Sequence, residues 1–140
     1  MFLSKDELRT RSNIEIIDAI TRNDNTIVEI IISESISLMK GYLSARFDVA
    51  QIFAGYTPPE PDTRDPVVVK ILKDIVIYEV YSSHNPNIMS KVVNDNMERA
   101  INWLKEVQAC HINPDLPKHP DPQTINYVIA GSNPKRSLHY

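Results

Sequence analysis

Apolar side chains recur at three- and four-residue steps through the first 110 residues, the spacing of one face of a helix, and polar or proline-rich stretches interrupt the pattern. The longest run joins Val28, Ile31, Ile32, Ser35, Leu38, Met39 and Tyr42. It predicts a helix from Thr26 to Phe47, started by Thr26 and Glu29 at capping-box spacing and about 33 Å long. Ile30-Ile31-Ile32 alone has the β-branched composition of a strand, but the flanking period and the length overrule it. Upstream, Ser4-Lys5-Asp6-Glu7 has the capping-box form, in which hydroxyl and carboxylate each satisfy a backbone N–H, and it predicts a short helix over Lys5–Arg11. A second short helix runs from Ser12 or Asn13 to Thr21, with Ile16, Ile17 and Ile20 on one side, until Arg22-Asn23-Asp24-Asn25 breaks it.

Between Asp48 and Asp65 the chain carries Gly55, Pro58, Pro59 and Pro61, a long loop for a compact domain. Asp65-Pro66 restarts a helix, with aspartate as cap and proline where a missing N–H costs nothing. Its apolar stripe is Val68, Ile71, Leu72, Ile75, Val76 and Tyr78, and Asn85-Pro86 interrupts it. After a helical turn over Asn87–Val93, the last helix spans Asn94–Cys110 with Met97, Ala100, Ile101, Leu104 and Val107 inside. The expectation is an all-α fold: a small bundle in which the long 26–47 helix is central and packs antiparallel against the helices near 66–84 and 94–110. Residues 1–110 form this domain and 111–140 a proline-rich C-terminal extension or docking arm.

The extension holds half of the ten prolines, so no continuous helix fits there. It also contains Ile125-Asn126-Tyr127-Val128-Ile129-Ala130, an apolar segment of strand propensity that a plain linker does not need. That segment either folds back onto its own bundle or docks on a neighbour by strand addition or groove filling.

Chemistry enters mostly by exclusion. Three glycines leave no room for a GxGxxG or Walker loop, and neither GxSxG nor HExxH occurs. His84, His111, His119 and His139 are irregularly spaced, and a Cys110/His111/His119 zinc site lacks a fourth ligand. Asp48, Glu60, Asp62 and Asp65 cluster around the loop but read as solvated carboxylates, because the prolines keep them from converging on a cation. Cys110, the single cysteine, fits a reducing compartment and reads as a buried or half-buried helix-end residue. The expectation is a non-enzyme without cofactor or metal. A net charge of −3 argues against a general nucleic-acid binder, and neither an apolar run of membrane-spanning length nor a signal sequence is present, so the chain reads as soluble and not secreted.

Three segments carry a resemblance. Tyr42-Leu43-Ser44-Ala45-Arg46-Phe47, Asp74-Ile75-Val76-Ile77-Tyr78-Glu79-Val80-Tyr81 and Arg99-Ala100-Ile101-Asn102-Trp103-Leu104 occur in the order of the YLxxRY, DIAxYxLY and RYxxAIxWL segments of the tailed-phage head–tail connector family related to the Mu protein Gp36. The chain resembles that family over residues 1–110. The resemblance implies a virion structural protein, a head-completion adaptor that forms a ring beneath the portal, commonly twelvefold, and on which tail or stopper proteins assemble. DNA would pass through its channel without specific binding, and an acidic subunit suits that role.

A ring of one chain needs a heterologous interface, one surface meeting a different surface on the next copy. The 48–65 loop and the 111–140 tail are its candidate parts, and the interface residues singled out are Pro58, Pro59, Ile125, Tyr127, Val128 and Ile129 from these, with Arg46 at the end of the long helix. Arg46 has two readings: complementing the dipole at the end of its own helix, or gripping a carboxylate through its planar fork. Arg99 and Trp103, four apart, either stack at an interface or serve as ordinary rim and core. The competing function is a small helical regulator or antitoxin-like DNA-binding domain, whose recognition helix would be Asn13–Thr21. That helix presents Ile14, Glu15, Ile16, Ile17, Asp18 and Ile20, too apolar and acidic for a major groove.

Overall fold

The computed structural model describes residues 1–84 and 86–120, and these are helical with no strand among them. A 3-10 turn, Lys5–Thr10, precedes α1 (Ile14–Thr21), α2 (Asn25–Leu43), α3 (Val49–Ile52), α4 (Pro66–His84) and α5 (Lys91–Gln108), with a second 3-10 turn at Pro86–Ile88. α4 packs against α1, α2 and α5.

α2 and α4 are both 19 residues long, and α4 is the more enclosed. Its buried set runs beyond the expected stripe to Val69, Asp74, Ile77, Val80 and Tyr81, while Tyr78 is only half-buried. A helix apolar on nearly every side belongs inside a bundle, whereas α5 is amphipathic and buries only Ala100, Leu104 and Val107. The ends of α2 and α5 meet, through Arg46, whereas an antiparallel pair would bring the end of one to the start of the other. The antiparallel expectation therefore fails for this pair.

Local chemistry sets the boundaries. Asp24 accepts the Thr26 N–H and starts α2 one residue early, which replaces the expected Thr26/Glu29 box with an aspartate cap. α2 stops at Leu43, and Phe47 lies beyond it as a fully buried side chain. Asp48 caps α3 through the Ala50 and Gln51 N–H groups, so the proline-rich loop begins with a helical turn. Asp65 caps α4 as expected, accepting from Val67 and Val68. Ser90 caps α5, which begins at Lys91 rather than Asn94.

Two expected burials fail. Leu38 is 40% exposed, because Met39 takes the inward position at 0%, together with Val28, Ile31, Ile32, Ser35 and Leu43. Cys110 is exposed, with φ of 66°. It occupies the left-handed position of a Schellman ending, in which its N–H donates to Val107 O and that of His111 to Glu106 O. α1 closes in the same way, with Arg22 and Asn23 both left-handed and Asn23 N–H donating to Asp18 O.

Candidate functional site

Residues 53–65 arch away from α3 and return to α4, and one side chain holds the arch. Arg64 lies between Asp62 and Asp65, and its Nε and Nη2 donate to the two oxygens of Asp62 at 2.8 and 2.6 Å. Nη2 also donates to Glu7 Oε1 at 2.7 Å, and Nη1 to Phe2 O at 2.5 Å. The guanidinium stacks 4.3 Å from the Tyr56 ring centroid and 5.6 Å from that of Phe2. The fork geometry of arginine serves two carboxylates and a carbonyl at once, which a lysine ammonium cannot do.

Its electrostatics follow from that geometry. Hydrogen bonds from Arg64 hold Asp62 down at about 2. Burial pushes Glu7 up, but bonds from Arg64 and from the Ser4 N–H outweigh it and leave the carboxyl below its usual value. Asp62 in turn raises Arg64. Glu7 also accepts the Ser4 hydroxyl, and the expected Ser4/Glu7 capping box is present. Tyr56 N–H donates to Met1 O, and the arch thereby rests on the N-terminal segment. Thr57–Thr63 is exposed at its tip, with Pro58 and Pro59 in it and a cis bond between them.

Arg46 does something neither reading anticipated. Its Nη1 donates to Val107 O at 2.5 Å and Ile112 O at 3.2 Å, and its Nη2 to Asn113 Oδ1 at 2.5 Å. It complements the carbonyl end of α5, a different helix from its own, and among the described residues it meets no carboxylate. From there the chain runs back to α2. Asp48 N–H donates to Pro117 O, Phe47 pairs with Lys118 in an isolated bridge, Leu116 is 6% exposed, and His119 Nε2 lies 2.5 Å from Ser44 O. Residues 112–119 are thus packed against the bundle.

The DIVIYEVY segment has an equally concrete job. Asp74, 5% exposed, takes both arms of the Arg11 fork at 2.7 and 3.0 Å, and Tyr81 hydroxyl lies 3.2 Å from Ser12 Oγ. Two adjacent residues of the N-terminal cap are therefore clipped to α4 two turns apart. In the third segment Ala100 and Leu104 are buried, Trp103 is half-buried and Arg99 is exposed near Asn96, which is rim and core rather than a stacked pair.

A family model described as Bacteriophage Mu, Gp36 matches residues 3–129. The chain belongs to that family. No curated protein and no solved structure matches it. The Gp36 match runs past residue 110, in keeping with the C-terminal return onto α2 and α5.

Within this Gp36-family chain, Arg46 and Pro58-Pro59 do not form one site. Arg46 is half-buried at the meeting of α2 and α5, and the prolines stand on the arch. Ile125, Tyr127, Val128 and Ile129 lie outside the described residues. The loop carboxylates are not idle solvent groups: Asp48 and Asp65 cap helices and Asp62 binds Arg64, leaving Glu60 exposed. Arg64, Glu7, Arg11 and Asp74 were the residues that pattern reading missed. The available signal was an arginine flanked by aspartates in a proline-rich loop, and an aspartate inside an otherwise apolar helical run.

Proposed function

We propose that the chain is a head–tail connector subunit, a non-catalytic virion component that forms a ring beneath the portal and supports attachment of tail or stopper proteins. Membership of the Mu Gp36 family supports a phage role. The observation that carries the finer reading is the arch, whose exposed tip at Thr57–Thr63 projects from a base fixed by five hydrogen bonds from Arg64. A loop held in one conformation before contact loses little entropy on binding, which is what an adhesive element of a repeated assembly requires. No helix of the described residues is long and apolar enough to cross a membrane.

In this proposal copies meet through unlike surfaces, the arch of one against the body of the next, closing as a ring of twelve on the portal. The duplex passes through without specific contacts. The DNA-binding alternative gains nothing from α1, whose exposed residues are Glu15, Ile16 and Ala19, with no positive charge to meet phosphate. The test is to mix the purified chain with the portal assembly of the same phage and follow the mass of the complex by native mass spectrometry. A ring on the portal is expected, and replacing Pro58 and Pro59 by glycine should reduce it. Absence of any portal complex, or duplex DNA binding at moderate salt, would remove the reading.

A further inference from the structure

Beside α2 runs a groove of about 390 Å³ whose occupant the described residues do not include. Phe2 and Ile32, both 4% exposed, lie at its base, half-buried Ile36 flanks it, and Ser33 and Ser37 leave room for a backbone to approach. Glu29 and Lys40 mark its ends, and at the Lys40 end the ammonium lies over the Phe53 ring, itself edge-on to Phe2.

The described chain stops at Pro120, one residue after His119 contacts the Ser44 carbonyl. Ser44 is four positions from Lys40, about 6 Å along the helix, so the polypeptide leaves the described body one turn from the mouth of the groove. Five steps along the chain lead from Pro120 to Ile125, a reach of up to about 17 Å. Extended, the six residues Ile125–Ala130 cover about 20 Å, and the Glu29–Lys40 stretch of α2 rises about 17 Å. The segment carries no charge, and in extended form Ile125, Tyr127 and Ile129 share one face, which matches an apolar floor. Ser33 and Ser37 hydroxyls are exposed partners for the backbone amides that such a segment would bring.

We infer that the groove on α2 is the docking site of the chain's own Ile125–Ala130 segment. A tether of this length holds the segment at millimolar effective concentration, which favours the chain's own copy over a neighbour's in dilute solution. The inference stands independently of ring formation, since it concerns the free subunit.

Disulfide trapping in the full-length chain tests it. In a Cys110→Ser background, Ser37→Cys is combined with Tyr127→Cys, and a control combines Asn102→Cys, on the exposed side of α5, with the same partner. The expected result is an intrachain disulfide that closes at least about tenfold faster for the Ser37 pair than for the control. Adding Ser33→Arg, which puts a charged side chain into the groove, should slow closure to the control rate. Equal rates for the two pairs would overturn the inference. So would disulfides that form only between chains at low protein concentration, which would give the groove to another copy's segment.

Discussion

Replacing Arg64 by methionine keeps the length and most of the apolar stem but removes the fork, and its cost is calculable from the contacts. The side chain is 6% exposed and makes five hydrogen bonds, to Asp62, Glu7 and Phe2 O. A hydrogen bond to a charged group contributes about 1.5–3 kcal/mol when buried. Asp62 is 44% exposed and Glu7 27%, so water recovers much of what each carboxylate loses. Phe2 O is left to find another donor. The net loss is about 2–3 kcal/mol, which for a domain of this size lowers the thermal midpoint by roughly 7–10 °C. Thermal unfolding by helical circular dichroism measures it, and mass-identified chymotryptic cleavage after Tyr56 reports the arch separately. Cleavage should accelerate in Arg64→Met under native conditions, with Arg64→Lys intermediate. A midpoint within about 0.5 kcal/mol of the parent and unchanged cleavage would refute the clasp.

The same clasp sets an acid response. Asp62 and Glu7 have folded pKa values below their ordinary ones, so their contribution is complete above about pH 4.5 and is lost as the pH falls toward 2; an NMR titration should show Asp62 moving at about 2 in the parent and near its ordinary value in Arg64→Met, and identical titrations would count against the assignment. Arg46→Lys keeps a charge but reaches fewer of three acceptors, and should cost about 1–2 kcal/mol in urea unfolding, where an unchanged midpoint would show the grip on α5 to be incidental. Leu116→Ala should cost about 2–4 kcal/mol because the side chain is buried, and a neutral result would detach the C-terminal return from the core. Leu43→Ala should cost about 2–5 kcal/mol and Leu38→Ala under about 1, and the reverse order would contradict the observed face of α2.

Helices were legible because periodicity and caps are local. α4 begins where Asp65-Pro66 placed it, and the 3-10 turn and α1 lie within a residue or two of their expected spans. Leu38 and Met39 differ by one position, 100° of helix, and the inward choice depends on what α4 and α5 present, which no window around residue 38 contains. Arg46 misled for a related reason. Two of its three partners, Val107 O and Ile112 O, are backbone atoms 61 and 66 residues away, and a carbonyl leaves no mark in a side-chain pattern. The arch was visible as a proline-rich stretch, but its order was not, since composition cannot distinguish a solvated aspartate from one bound to Arg64.

The clips on α4 also order events in time. Arg11 and Ser12 emerge early during synthesis, yet their partners, Asp74 and Tyr81, follow 63 and 69 residues later, and Arg64 follows Phe2 and Glu7 by 62 and 57. Closing such long loops is the slow part of folding a small domain. The segment made first therefore stays unfixed until α4 exists, and a chain still on the ribosome with its loop and α4 unmade holds Phe2, Leu3 and Leu8 without the core that buries them.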